Sequence, residues 1–177
     1  MDPDFTYGGT FGLTIIQTPG LFLTNSEVIA ILMDYTNYPG ASTPPPTTFV
    51  NLNHQKNPQQ TKFLTPKMST WATGSPNPPL PGVGTDLVFR DPWGNPYIIS
   101  LDLNYDDACN DAFYSLDLVS QQTGNIGWNG LVQPKGTTDN FQFHGKVMVW
   151  SAGPDGKIDP AKPANAGVNK DNILSWQ

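Results

Sequence analysis

Lys146-Val147-Met148-Val149-Trp150-Ser151-Ala152-Gly153-Pro154-Asp155-Gly156-Lys157-Ile158-Asp159, with Asp171-Asn172-Ile173-Leu174-Ser175-Trp176 further on, is the stretch whose reading decides the fold. Val147 to Trp150 is a β-branched and aromatic run. It stops at Gly153-Pro154-Asp155-Gly156, where glycine and proline end regular pairing, so a strand feeds a long loop. From Gly153 to Lys170 the only sizeable apolar side chains are Ile158 and Val168. Something other than a hydrophobic core must hold such a loop.

What the loop has in quantity is oxygen. Asp155 and Asp159 flank the turn, Ser151 precedes it, and Asp171-Asn172 closes it, with backbone carbonyls such as that of Lys157 in between. Hard divalent cations take six to eight oxygen ligands, and calcium accepts the irregular geometry of a loop. The candidate metal set is therefore Ser151, Asp155, Lys157, Asp159, Asp171 and Asn172. Closing a flexible loop of this length costs about 2–3 kcal/mol of chain entropy. A micromolar site in millimolar calcium contributes about 4 kcal/mol, enough to order it. The spacing is not that of an EF-hand, which needs a central oxygen ligand and a glycine at the sixth place. Without an ion, Asp155-Gly156 reads as a plain turn and Asp171 as a cap.

A second stretch bears on the first. Arg90-Asp91-Pro92-Trp93-Gly94-Asn95-Pro96-Tyr97 joins Leu87-Val88-Phe89 to Tyr97-Ile98-Ile99-Ser100-Leu101, and proline after Asp91 with glycine three places on fits a tight turn in a hairpin over 86–103. This turn, then a strand, a Ser-x-Gly-x-Asp-Gly loop and a closing Ile-x-x-Trp resemble, in that order, the periplasmic domain of the major pseudopilin of type II secretion, a member of the type IV pilin family. The matching residues are Asp91 to Tyr97, Ser151 to Gly156, and Asn172 to Trp176. Asn172 stands where the family has its closing aspartate and Asp171 one place earlier, so both are candidates. Where the family loop is rich in glycine and glutamate, this one carries Asp159-Pro160-Ala161-Lys162-Pro163, and some 45 residues separate Tyr97 from Phe143 where the family has far fewer.

Length and the sum of the elements along the chain give a single α+β domain over 1–177 with a small antiparallel sheet; the resemblance implies that it is pilin-like, an N-terminal helix packed on that sheet with long loops and an extra helix. It implies a structural calcium ion in the 146–177 region and a non-enzymatic role. Its partners would be other pseudopilin subunits and the secretion machinery of the inner and outer membranes. The chain would be periplasmic, anchored through an apolar N-terminal helix that lies outside these 177 residues.

Composition narrows the alternatives. The chain is long enough for a real core, with 37% apolar and only 14% charged residues. Its 17 glycines and 18 prolines make about a fifth of the chain, and with five tryptophans they describe a loop-rich globule. A net charge of −6 and a single arginine, Arg90, exclude a basic nucleic-acid footprint. Cys109 is the sole cysteine, so no internal disulfide forms. The longest apolar run, Val28 to Met33, is far short of the ~20 residues that span a bilayer.

Along the chain, Leu13 to Ile16 reads as a strand or extended lead-in. Thr24-Asn25-Ser26-Glu27 reads as a capping box opening a helix over 25–37, with Val28, Ile31, Leu32 and Tyr35 on one face. Residues 39–84 are Pro- and Asn-rich loop, with Phe49, Phe63, Leu64 and Trp71 expected to pin it down. Asp106-Asp107 should start a second helix carrying Ala108, Ala112, Phe113, Leu116 and Val119 on one face and ending at Gln121 to Gly124. Gly130-Leu131-Val132 and Phe141-Gln142-Phe143 form a short pair before the final strand.

Catalytic parts are sparse. His54 and His144 are isolated, Cys109 has acidic neighbours that raise a thiol pKa, and Asp102 with Asp106 and Asp107 could serve glycoside hydrolysis only at a set carboxylate separation. A calcium-stabilised carbohydrate-binding module, with Trp71, Trp93 and Trp128 as stacking platforms, is the alternative to a filament subunit.

Overall fold

The computed structural model describes residues 4–8, 24–40, 45, 48–69 and 80–177. The expected strand over Leu13 to Ile16, and Trp71, lie outside these. In chain order the elements are β1 (Phe5–Tyr7), helix α1 (Ser26–Leu32), β2 (Gly82–Val83), β3 (Phe89–Arg90), β4 (Ile98–Leu101), β5 (Cys109–Asn110), helix α2 (Asp117–Ser120), β6 (Gln121–Thr123), β7 (Ile126–Gly127), β8 (Gln142–Phe143), β9 (Val147–Ser151) and β10 (Ile173–Leu174). Short 3-10 turns occupy Leu52–His54, Trp128–Gly130 and Gly167–Asp171. This is mixed helix and antiparallel sheet, the α+β class. The chain divides into two compact units, Met1–Phe22 with Tyr97–Gln177, and Leu23–Pro96.

In the first unit a four-stranded antiparallel sheet runs in the order β1-β4-β9-β10. The Val147 to Trp150 run forms the expected strand, β9, with Ile98 opposite Trp150 and Ser100 opposite Met148. Period-two alternation sends Met148 and Trp150 inward, where they meet Ile98, Cys109, Phe113, Tyr114, Val119, Leu131 and Phe141. Val132 and Gln142 exchange two backbone hydrogen bonds, the short pair expected there.

A carboxyl group sits in the middle of this core. Asp111 is fully buried, and its Oδ1 accepts the amides of Phe113 and Tyr114, both at 2.9 Å. Its Oδ2 accepts Ser100 Oγ at 2.5 Å and Trp150 Nε1 at 3.0 Å. Ser100 Oγ also bonds Thr6 Oγ1, which accepts the Ala112 amide. Four donors compensate the carboxylate's desolvation; Ser100 and Trp150 among them tie β4 and β9 to one point, and Thr6 joins β1 to it through Ser100.

The second helix expected from Asp106 is a correction. The segment is instead turns, β5 and the single helical turn α2, and Cys109, within the expected helix, lies on a strand opposite Phe143. Aspartate side chains compete with the backbone for its own amides. Asp102 takes Tyr105 N and Asp107 N, Asp106 takes Ala108 N, and Asp111 takes the two amides already described, so few donors remain for i−4 carbonyls. Tyr105 and Asp107 both adopt left-handed backbone, which ends any helical run there.

Further expectations are corrected between residues 24 and 103. α1 stops at Leu32, not Tyr38, because Asp34 turns left-handed (φ 56°) and its carboxylate meets His54 Nδ1 at 2.7 Å. Thr24 does not cap: its hydroxyl bonds Ser26 Oγ, while Asn25 spends its carboxamide on Phe89, receiving Phe89 N at 3.0 Å and donating to Phe89 O at 2.9 Å. β3 pairs with β2 and β4 with β1 and β9, so 86–103 is not one hairpin. The tight turn within it does form. Asp91 Oδ1 accepts Trp93 N and Asn95 N, and Gly94 takes φ 92°. In the long loop Phe49 is buried, whereas the Phe63 side chain is 63% exposed and the loop is held there by the amides of Phe63 and Leu64 on Leu32 O.

Asp111→Ala strips four donors of their acceptor at once and should cost roughly 3 kcal/mol or more. Urea denaturation checks this; a loss under about 1 kcal/mol would mean that the carboxylate does not organise the sheet.

Candidate functional site

The C-terminal loop leaves one strand and returns as its neighbour. Ile173 pairs with Ser151 and Leu174 with Trp150, and the Ser175 amide donates to Val149 O at 2.9 Å. Gly153 follows β9 with φ 67°, and a Cβ there would collide with the Asp171 carbonyl and lie 3.3 Å from the Asp171 carboxyl carbon. Only glycine lets the loop's two ends approach so closely.

Inside the loop, two aspartates turn the chain. Asp155 Oδ1 accepts Lys157 N at 2.8 Å and Asp159 Oδ1 accepts Ala161 N at 2.9 Å, both Asx turns. Asn169, 1% exposed, holds the second of them. Its Oδ1 accepts the Asp159 amide at 2.8 Å, and its Nδ2 donates to the carbonyls of Asp159 and Lys162, each at 2.8 Å. Ala164 is buried, and its amide donates to Val119 O at 2.8 Å. Ile158 and Trp176 pack on the core cluster. The loop that lacked apolar anchors is thus stitched largely by one carboxamide. Sequence reading passed over Asn169, which the letters do not distinguish from Asn165 four residues earlier; the fold buries the one and exposes the other.

The six candidate ligands fall into two groups. Asp155 and Lys157 are exposed, Asp159 is half-buried, and Ser151 Oγ accepts the Gly153 amide at 3.0 Å. At the loop's closing end matters differ. Asp171 Oδ1 and Asn172 Oδ1 are both buried and neither has a hydrogen-bond donor. Asn172 Nδ2 meanwhile donates to Tyr114 Oη at 2.9 Å. Buried oxygens are nearly always satisfied, so two unmet acceptors on adjacent residues call for an explanation. One carboxylate oxygen and one amide carbonyl oxygen are ligand types that calcium takes. Among the described residues no three His, Cys, Asp or Glu side chains form a metal-holding group, so Asp155, Asp159 and Asp171 do not make a carboxylate cage.

The other chemical groups are placed as follows. Cys109 is buried, and burial, then the charges of Asp4, Asp111 and Asp102, push its thiol up to about 12 from an ordinary 9.0. That is opposite to what a nucleophile requires. Asp102 and Asp106 each hold local amides. Trp93 is 42% exposed, whereas Trp128 packs against the core cluster. No described helix is long and apolar enough to cross a membrane. Compared with family models, curated proteins and solved structures, the chain has no match.

Two outcomes test this geometry. Asn169→Ala removes the stitch and should cost about 2–3 kcal/mol, with faster amide exchange at Asp159 and Ala161 by mass spectrometry; unchanged exchange would refute the clamp. Cys109 should resist alkylation at pH 8 in the native protein and react fully in urea. Its folded pKa lies above its unfolded one, so its contribution is intact below pH 9 and stability falls as pH rises from 9.0 toward about 12. A Cys109→Ala chain should lose less stability over that range.

Proposed function

We propose that this chain is a pilin-like structural subunit of a type II secretion pseudopilus, with a calcium ion fixing its C-terminal loop. The observation that carries the reading is the pair of buried, donor-less oxygens on Asp171 and Asn172, at the place where the pseudopilin-like motif closes its loop. The order of parts also supports it. The Asp91 turn precedes β4, β9 runs antiparallel to β4, and the Ser151 to Gly156 segment leads from β9 to a loop that closes on β10.

Bound calcium would supply positive charge to those oxygens, whose burial is otherwise costly. Asp171 and Asn172 would hold it, with Gly153 admitting the close approach. Fixing this loop keeps one face of the sheet in a single shape, which a subunit needs if heterologous contacts are to repeat along a filament rather than close into a ring. In this reading the chain lies on the periplasmic side of the inner membrane, held by an apolar N-terminal helix, and works with other pseudopilin subunits to push folded cargo outward.

Millimolar calcium should raise the melting temperature over chelator by roughly 10 °C, from about 4 kcal/mol at 2–4 °C per kcal/mol. Asp171→Ala should abolish the shift, and Asp155→Ala, at an exposed position, should reduce it less. Identical melting of the wild type with and without calcium sinks the metal reading. For the filament role, the chain placed behind a prepilin leader and apolar helix in a secreting host should appear in sheared surface fibres; its absence from them counts against the role.

A further inference from the structure

We propose that the Tyr114 hydroxyl positions Asn172 as a cation ligand, by deciding which end of the carboxamide is presented; this rests on the calcium reading above. The two ends of a carboxamide are opposite in kind, an acceptor oxygen and a donor NH2. A cation accepts only the oxygen. An asparagine in a metal site, unlike an aspartate, therefore has a wrong way round, and something must forbid it.

Here that something is 58 residues away in sequence. Asn172 Nδ2 donates to Tyr114 Oη at 2.9 Å, the side chain's sole hydrogen bond among the described residues, and Oδ1 is left buried without a donor. The tyrosine cannot easily move. It is 1% exposed, its amide is held by Asp111 Oδ1, and its carbonyl accepts Ser120 Oγ at 2.5 Å. Its ring is gripped edge-on by Phe113, Trp150 and Trp176, with centroids 5.0, 5.1 and 5.3 Å away. The hydroxyl is thus a fixed acceptor for the NH2 end. The segment that carries it, Asp111 to Ser120, lies within the long stretch between Tyr97 and Phe143, so this arrangement ties that insertion to the loop. It also explains how a neutral asparagine can stand where the resembling family has an aspartate.

Groups that orient metal ligands typically change affinity 10–100-fold when removed. The test is a double-mutant cycle of Tyr114→Phe with Asn172→Asp, read as calcium affinity by titration calorimetry on the full chain. Tyr114→Phe keeps the ring and its packing, and should weaken calcium about tenfold or more. In the Asn172→Asp background both side-chain oxygens are acceptors and no orientation is left to set. There the same Tyr114→Phe change should alter affinity by less than about threefold. An equal loss in both backgrounds would mean that the hydroxyl only supports the fold and overturns the proposal. So does wild-type affinity in Tyr114→Phe, which would leave the calcium site itself standing. A wild-type chain that takes up no calcium overturns the site and this inference together.

Discussion

The constraint on which the rest of this structure depends is that buried main-chain amides and carbonyls must find partners in a chain with little regular pairing to provide them. Its longest described strand has five residues and its longest described helix seven. Side-chain carboxamides and carboxylates fill the deficit. Asn25 meets both polar groups of Phe89, and Asn51 Oδ1 accepts the amides of Lys56 and Asn57. Asn57 in turn donates to the carbonyls of Ile31 and Thr61, and Asn169 holds the last loop. Asp91, Asp102 and Asp111 do the same with carboxylates. Each buried side chain behaves as a short length of backbone that can be placed where a strand cannot go.

Such a design has a consequence for sites. Where nearly every buried side-chain acceptor among the described residues is spoken for, the two that are not carry information. Asp171 Oδ1 and Asn172 Oδ1 sit next to a glycine that closes the loop and beside a tyrosine wired to the core carboxylate. The buried Asp111 carboxyl has four hydrogen-bond donors, whereas the buried Oδ1 of Asp171 has none. The contrast between two aspartates in one unit is the physical basis of the calcium proposal.

The sequence was most legible where one principle acted alone. β9 announced itself through β-branched and aromatic residues, and the Asp91 turn through its proline and glycine. It was least legible where two principles competed. The apolar spacing of Ala108, Ala112, Phe113, Leu116 and Val119 is helical, yet Asp102, Asp106 and Asp111 capture the local amides first. Thr24 to Glu27 has the letters of a capping box, yet Asn25 is drawn to Phe89, 64 residues away. Phe49 and Phe63 look alike as anchors, and only one of them is buried.

What the sequence determined by itself was the class of solution: a loop-rich, acidic α+β chain whose last strand opens into an oxygen-rich loop. That much follows from residue types and their spacing, which act over a few positions. The tertiary structure alone decided which asparagines act as clamps, that Cys109 lies on a strand, and which of six candidate ligands keep buried oxygens in want of a donor. The reason is physical: whether a polar atom is satisfied depends on partners tens of residues distant, as between Asn172 and Tyr114, and no local pattern encodes that pairing.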